Sequence, residues 1–363
     1  MGFFEEFEDF KNTVYYVFKW EEETSIVCLG LTIFGVCLIK YDYDIYIWNY
    51  LIQIISNNFT DLQHLLSIDE MDISLINDIF KSADKFLTNN QSIDKYKILQ
   101  GKTVCNLFFE NSTRTQTTFE IAAKRLSADV INLDIATSSQ SKGESILDLI
   151  NNLIAMGVNI FVVRHSMPGI PEQIAHNIEN KAHIINAGDG NKEHPTQALL
   201  DAYTIKSYKK RFGDLKVAIV GDIEHSRVAK SEIYILNKLG VKEVRVIGPE
   251  LLMPSNISDL NVRAFSNMND GLKDVDAILM LRIQKERMSK DTIPSEKEYF
   301  KAYGLNEERL KFAKNDCIVL HPGPINRGVE IDTVVADGRQ SVILEQVKNG
   351  IGIRMAVMEK MAN

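Results

Sequence analysis

The stretch with the clearest capacity for chemistry is Phe108–Thr118, where hydroxyl side chains and an arginine follow an apolar segment. Thr103–Phe108 is an apolar run of strand length, and it gives way to Ser112-Thr113-Arg114-Thr115. Hydroxyl residues at a helix start leave backbone N–H groups and the positive end of the helix dipole facing outward, which favours an anion. The guanidinium of Arg114 adds a planar donor for phosphate oxygens. The stretch indicates a phosphate-binding turn, and a capped helix with a surface arginine is the alternative.

Similar polar clusters follow other apolar, strand-like segments of the chain. Ligands of open parallel sheets bind outside the carboxyl ends of the strands, so such clusters predict one crevice. The clusters are Ser138 and Lys142 after Asp129–Leu133, Arg164 after Asn159–Val163, His194 and Gln197 after His183–Ile185, Arg227 after Lys216–Val220, Arg282, Gln284 and Arg287 after Ala277–Leu281, and Gly323-Pro324 after Cys317–Leu320.

The elements that must position these residues alternate between strand and helix patterns from about Leu65 onward. Four predicted strands lie on either side of a predicted helix at Thr196–Arg211, and helices are also expected at Asp69–Phe86, Thr117–Arg125, Glu144–Met156 and Ser341–Met361. This alternation predicts an α/β fold of two domains, each with a parallel sheet flanked by helices, joined by long helices. The expected boundaries are 61–196 plus 343–363 for the first domain and 197–342 for the second.

Composition narrows the classes of function. The chain has 363 residues and a net charge of −8, without a block of lysine and arginine, which argues against a nucleic-acid surface. Its four cysteines show no CxxC pair and no histidine at ligand spacing, so we expect reduced thiols and no metal site. These cysteines are Cys28, Cys37, Cys105 and Cys317.

Residues 1–60 form an N-terminal extension whose composition differs from the rest of the chain. Its start is acidic, which fits neither a secretory signal nor an organellar transit peptide. Thr24–Ile39 is uncharged and apolar but shorter than the ~20 residues of a usual membrane span. Three interpretations stay open: a poorly ordered extension, a membrane contact through residues 24–56, or a helix that packs on the main body. A cytoplasmic location is expected, with an organellar or membrane-associated one as the alternative.

Six motifs, taken in order, resemble those of the transcarbamoylases, and among them the aspartate carbamoyltransferases. The similarity extends roughly from Leu65 to Met361 and leaves out only the N-terminal extension. The matching residues are Phe109-Glu110-Asn111-Ser112-Thr113-Arg114-Thr115, Lys142-Gly143-Glu144, Asn186-Ala187-Gly188-Asp189-Gly190, His194-Pro195-Thr196-Gln197-Ala198-Leu199-Leu200-Asp201, Arg282-Ile283-Gln284-Lys285-Glu286-Arg287 and His321-Pro322-Gly323-Pro324.

The resemblance implies two small-molecule substrates, carbamoyl phosphate and L-aspartate, and a role for each matching residue. The product would be N-carbamoyl-L-aspartate, formed early in de novo pyrimidine synthesis by direct acyl transfer without a metal or cofactor. The implied roles are a phosphate cradle of Ser112, Thr113, Arg114, Thr115 and Arg164, oxyanion donors Thr115, Arg164 and His194, contacts to the carbamoyl NH₂ from Gln197 and the backbone at Gly323-Pro324, and contacts to the aspartate carboxylates from Arg227, Arg282 and Gln284.

The resemblance also implies an assembly and a conformational change. In this family the loop that matches Ser138 and Lys142 reaches into a neighbouring subunit's site, so a homotrimer with shared active sites is expected. Glu110 would pair with Arg227 or Arg287 when the two domains close and exclude water.

Alternatives to the aspartate-dependent enzyme remain at this stage. Ornithine transcarbamoylases carry Cys in place of Pro322, whereas the arginine and amide at Arg282 and Gln284 suit a second carboxylate. A catalytically inactive protein that keeps the fold for binding or assembly is a second interpretation. A dinucleotide enzyme is a third, prompted by Val217–Gly221 before a helix, but the GxGxxG pattern is missing.

Overall fold

The computed structural model describes residues 62–88, 95–134, 145–209, 211–284 and 295–362. Within these residues the chain forms two five-stranded parallel sheets with helices around them. The two-sheet α/β fold that the sequence predicts is confirmed. The assignment of individual residues to two domains stays a prediction, and the predictions for residues 1–60, including the apolar segment at 24–56, lie outside the described residues.

The first sheet is built from the first half of the described chain. Its strands run in the order β1-β5-β4-β2-β3, and every pair is parallel. Strands β3 and β4 lie on opposite sides of β2, so the strand order reverses between β2 and β4, where parallel sheets usually bind their ligands. The strands are β1 His64–Leu65, β2 Thr103–Phe108, β3 Asp129–Asp134, β4 Val158–His165 and β5 His183–Asp189.

The second sheet follows the same plan. Its order is β10-β9-β6-β7-β8, again with parallel neighbours throughout, and β7 and β9 flank β6. The reversal therefore lies between β6 and β9. The strands are β6 Lys216–Val220, β7 Glu243–Ile247, β8 Arg263–Phe265, β9 Ala277–Met280 and β10 Ile318–Leu320.

The helices that connect and cover the strands agree in position with the predicted ones where a prediction exists. The largest differences are at two helix starts: α1 begins four residues after the predicted Asp69, and α2 begins four residues before the predicted Thr117. The helices are α1 Ile73–Thr88, α2 Thr113–Arg125, α3 Ile146–Ala155, α4 Ile170–Ile178, α5 Pro195–Lys209, α6 Arg227–Lys238, α7 Met268–Leu272, α8 Glu296–Tyr303, α9 Glu307–Leu310, α10 Thr333–Ala336 and α11 Ile343–Glu359. Short 3₁₀ turns lie at Lys97–Leu99, Glu179–Lys181, Phe212–Asp214, Glu250–Leu252 and Ile257–Leu260.

The C-terminal helix α11 returns to the first half of the chain, as the sequence predicts. It packs against α1, α2 and α5. Its residues Ile353, Met355 and Met358 are buried in the same hydrophobic cluster as residues of those three helices. The last helix is therefore part of the core beneath the first sheet.

Two further observations concern the cysteines and the membrane. Cys105 and Cys317 are buried free thiols, as expected, and burial raises the pKa of each to about 12. Cys28 and Cys37 lie outside the described residues. In the part of the chain that the structure describes, the helices are too short or too polar for one to pass through a bilayer.

Candidate active site

The turn after β2 has the form of an anion site. Ser112 is the N-cap residue of α2, but its hydroxyl donates to Thr115 Oγ1 at 3.0 Å and does not cap a backbone N–H group. The first intrahelical bond that follows runs from the Gln116 amide to the Ser112 carbonyl. The N–H groups of Thr113, Arg114 and Thr115 precede it and have no carbonyl partner in the helix. The N–H groups at the helix start and the hydroxyls of Ser112 and Thr115 thus lie close together, an arrangement that suits a phosphate group.

Arg114 connects this turn to the second sheet. Its guanidinium lies directly against Gly323, in the loop that follows β10. Gly323 has a φ of +66°, and a Cβ atom there would overlap the Arg114 guanidinium. Glycine is therefore required at this position both for the backbone conformation and for the close approach.

His321 and Glu330 hold the loop that carries Gly323. The Gly323 amide donates to His321 Nδ1 at 2.7 Å, so the proton of the neutral ring lies on Nε2. Nε2 then donates to Glu330 Oε1 at 3.0 Å, and that oxygen also accepts from the Asn326 amide at 2.6 Å. The side chains of His321 and Glu330 are fully buried. The loop is thus held in one conformation by a buried pair.

Glu110 joins arginines from the two reversal points. Arg164, at the end of β4, places Nη2 2.7 Å from Glu110 Oε1, and Arg227, at the start of α6, forms an ion pair with the same oxygen. Arg164 Nη1 also donates to the Ala187 carbonyl at 3.0 Å, and Arg227 Nη1 donates to that of Gly190 at 3.1 Å. The contact of Glu110 with Arg227 is one of the two predicted pairings. Its proposed role in domain closure stays a prediction.

Gly188 makes room for both of these arginines. Its φ is +135°, and a Cβ atom on it would lie 2.8 Å from Arg164 Nη1 and 2.9 Å from Arg227 Cζ. Gly188 also donates its amide to Asn186 Oδ1 at 2.8 Å, close to the end of β5. The two guanidinium groups can approach this part of the strand only because the residue has no side chain.

His194 is a buried, neutral histidine among arginines. Its amide donates to Ser231 Oγ on α6 at 2.9 Å, and that hydroxyl donates to Glu193 Oε2 at 3.1 Å, so its backbone is tied to the second half. Burial, reinforced by Arg164 and other nearby guanidinium groups, lowers the pKa of His194 well below its ordinary value. A neutral imidazole keeps one N–H and can still donate to a developing oxyanion.

Gln197 lies one helical turn before Asp201 on α5, and both are buried. Gln197 Nε2 donates to Asp201 Oδ1 at 2.9 Å, and Nε2 of Gln346 on α11 donates to the same oxygen at 2.5 Å. Burial raises the pKa of Asp201 to about 7, against the opposing effect of these hydrogen bonds and of Arg354. The Gln197 amide is therefore fixed by its hydrogen bond to Asp201, whose carboxylate is held in turn by Gln346.

A cleft lies between the anion-binding turn at Arg114, Gln197 on α5 and the His321 loop. Arg354 lies at its inner wall, with its guanidinium 4.8 Å from the centre of the Phe119 ring and Nη1 donating to the Gly350 carbonyl at 2.9 Å. The cleft is lined by Arg114, Thr115, Thr118, Gln197, Leu200, His321, Pro322, Gln346, Val347 and Arg354.

The predicted acceptor residues lie at the reversal point of the second sheet. Arg282 Nη2 donates to Gln284 Oε1 at 3.2 Å, and both residues are half-buried after β9. The Gln284 amide donates to Asp222 Oδ2 at 3.2 Å, and the other oxygen of Asp222 lies 2.9 Å from His225 Nδ1. Buried Asp222, after β6, therefore anchors the segment that carries Arg282.

The structure places Arg114 against Gly323, joins Arg164 to Arg227 through Glu110, and places Arg282 and Gln284 beside Asp222. Ser138, Lys142 and Arg287 lie outside the described residues. Gln346 and Arg354 were missed as functional candidates because they lie on α11, outside the motifs, whereas Gly188 belongs to a matching motif but was given no role. Asp201 also belongs to a matching motif, as a carboxylate four residues after Gln197, but it was given no role. Among the described residues, no group of three His, Cys, Asp or Glu side chains is placed to hold a metal ion.

Comparison with known families matches both halves of the chain. Residues 63–207 match the family model for the carbamoyl-P binding domain of aspartate/ornithine carbamoyltransferase, and residues 213–361 match that for its Asp/Orn binding domain. Together the two models cover well over half of the chain. The chain belongs to the aspartate/ornithine carbamoyltransferase family.

Solved structures of this family have the same fold. Aspartate transcarbamoylase from Trypanosoma cruzi in complex with carbamoyl aspartate and phosphate is 27% identical, with a TM-score of 0.75 over 82% of this chain and 95% of that one. The same enzyme in complex with carbamoyl phosphate and aspartate is 27% identical, with a TM-score of 0.74 over 82% of this chain and 96% of that one. The two sheets of this chain and their flanking helices therefore form the transcarbamoylase fold.

Proposed function

We propose that the protein is an aspartate carbamoyltransferase. It transfers the carbamoyl group of carbamoyl phosphate to the amino group of L-aspartate, which yields N-carbamoyl-L-aspartate and phosphate for de novo pyrimidine synthesis. The observation that carries this proposal is the convergence of Arg114 and Arg164 on neutral His194, with Arg114 lying against the Gly323 loop. Solved relatives in complex with carbamoyl phosphate and aspartate support the same assignment.

The donor half of the reaction follows from the charges of this site. The α2 N-terminus and Arg114 bind the phosphate group as a doubly charged anion. As the amine attacks, the carbonyl oxygen gains negative charge, and Thr115, Arg164 and His194 donate to it. Loss of one such donor typically raises a barrier by ~3–4 kcal/mol. The departing phosphate accepts the amine's proton, so the chemistry proceeds without a dedicated general base.

The acceptor half is assigned to Arg227, Arg282 and Gln284. A forked guanidinium is the preferred receptor for a carboxylate, and aspartate has two carboxylates where ornithine has one and an ammonium group. Holding donor and acceptor side by side turns a two-body encounter into a near-attack pair. Support comes from the position of Arg227 beside Arg164 and of Arg282 beside the Asp222 anchor.

The test is product formation by the purified protein from carbamoyl phosphate with either aspartate or ornithine. Carbamoyl aspartate should form and citrulline should not. Arg114→Ala should abolish turnover while the circular dichroism spectrum and melting temperature stay close to those of the parent protein. Citrulline as the main product would refute the acceptor assignment. Absence of both products from a well-folded assembly would favour an inactive binding protein.

We also propose that the enzyme is a homotrimer with shared active sites. Ser138 and Lys142 would reach the site of the neighbouring subunit. Mixing Arg114→Ala with Lys142→Ala protein, after subunit exchange, should then restore part of the activity, because some sites receive an intact half from each subunit. Mixtures that exchange subunits and stay inactive would exclude shared sites.

A further inference from the structure

A chain of buried hydrogen bonds connects the Gly323 loop to Gln197. The His321 amide donates to Gln346 Oε1 at 3.0 Å, and Gln346 Nε2 donates to Asp201 Oδ1 at 2.5 Å. Gln197 Nε2 donates to the same Asp201 oxygen at 2.9 Å. The four residues are each at least 92% buried. The chain therefore links α5, α11 and the loop after β10 behind the cleft.

The direction of every bond in this chain is determined by its first member. A backbone N–H can only donate, so the oxygen of Gln346 must face His321 and its nitrogen must face Asp201. Asp201 Oδ1 is therefore an acceptor, and the amide of Gln197 must turn its nitrogen toward it. Protonation of the carboxyl does not reverse this direction, since two N–H groups point at Oδ1 and a proton would occupy Oδ2.

We propose that Asp201 is a positioning residue that, with Gln346, turns the Gln197 carbonyl oxygen toward the cleft and makes the site select an acyl donor that carries an N–H group. The inference rests on the proposed carbamoyl phosphate site and deepens it. Gln197 lines the cleft, and with its nitrogen engaged by Asp201 its oxygen is the amide group left for a ligand. The carbamoyl NH₂ satisfies that oxygen, whereas a methyl group in the same place, as in acetyl phosphate, leaves it unpaired.

Two phosphonates that differ only at this position provide the probe. Phosphonoacetamide carries the NH₂ group and phosphonoacetone a methyl group, and neither can transfer an acyl group to the protein. Binding of each to the full-length protein is measured by isothermal titration calorimetry. A hydrogen bond to an otherwise unpaired acceptor predicts a preference of about tenfold for the amide.

Variants of Asp201 test whether the preference depends on the orientation of the Gln197 amide or only on a buried side chain at position 201. Asp201→Leu has nearly the same size but no acceptor, and the preference should fall to about twofold or less because Gln197 can then turn over. If the leucine variant fails to fold, Asp201→Ala takes its place. It also lacks the acceptor, leaves space for water, and should show the same fall in preference. Asp201→Asn keeps a carbonyl oxygen and should keep the preference. Glu232→Gln is the matched control, since buried Glu232 lies near Asp201 but makes no side-chain hydrogen bond within the described residues.

The outcomes distinguish this inference from the proposed function. A folded Asp201→Leu or Asp201→Ala protein that retains the tenfold preference would overturn the positioning role, as would a parent protein without any preference. Loss of preference in Glu232→Gln as well would point to general disturbance of the core and also overturn it. A parent protein that prefers the amide but forms no carbamoyl aspartate would refute the proposed reaction and leave the role of Asp201 standing.

Discussion

Substitution of Gly323 by alanine tests the contact between the two sheets. The new methyl group would overlap the Arg114 guanidinium, which is the far end of a flexible side chain. The easiest relief is for the guanidinium to move, and not for the backbone of the loop to shift. Gly323→Ala should therefore displace Arg114 from the anion site and leave the fold intact.

The magnitude has two parts. An alanine held at a φ of +66° destabilises the protein by roughly 1–2 kcal/mol, which lowers the free energy of unfolding. Displacement of Arg114 removes one charged donor from the phosphate site, and such a loss raises the barrier by about 3–4 kcal/mol. The expected fall in kcat/KM is thus on the order of 10²–10³-fold.

Gly328 in the same loop provides a matched control. Its φ is +80°, and a Cβ atom on it would meet no atom within 4 Å. Gly328→Ala should share the conformational strain but not the displacement of Arg114. The assay is carbamoyl aspartate formation over a range of carbamoyl phosphate concentrations, with urea unfolding of both variants at the same pH.

A small difference between the two variants would refute this reasoning. If kcat/KM of Gly323→Ala lies within about threefold of that of Gly328→Ala, the position of Arg114 against the loop has no bearing on catalysis. Equal activity with unequal unfolding free energies would show that the overlap is relieved by the backbone.

Two further predictions follow from the same site. Gly188→Ala should displace Arg164 and Arg227, because the new methyl group would overlap both guanidinium groups. In the carbamoyl aspartate assay, kcat/KM should fall by about 10²-fold or more, and near-parental activity would contradict the close approach. The pKa of His194 is lower in the folded protein than in the unfolded chain, so on acidification the unfolded chain takes up the proton at a higher pH. The free energy of unfolding therefore falls as the pH drops below about 6.5 towards the folded pKa, by up to ~1.4 kcal/mol per pH unit. Urea unfolding between pH 7.5 and 5.5 should show a shallower decline for His194→Asn, and equal slopes would exclude a buried neutral His194.

Sequence patterns predicted the strands that have a continuous apolar run. The bounds of β2 and β6 agree with the prediction, because a strand buried on both faces is largely apolar. Two strands escaped prediction. β1 has only two residues, and β8 at Arg263–Phe265 is an edge strand with exposed or half-buried residues, so neither has a pattern.

The site was predictable to the extent that its residues follow strands directly. Arg114 and Arg164 could be placed near each other because parallel strands end at one edge of a sheet. The support behind them could not be derived in this way. Gln346 is 145 residues from Asp201, and the room that Gly188 makes for two arginines depends on tertiary contacts that no local pattern records.

The return of α11 to the first sheet has a consequence for synthesis on the ribosome. Helix α1 finds its packing partner some 270 residues later in the chain, so the leading half emerges long before the surface that covers it exists. Its apolar side remains exposed until α11 has been synthesised, which gives a chaperone apolar surface to bind. Severing the chain just before α11 should likewise leave a fragment prone to precipitate, because α1, α2 and α5 would lose the helix that packs on them.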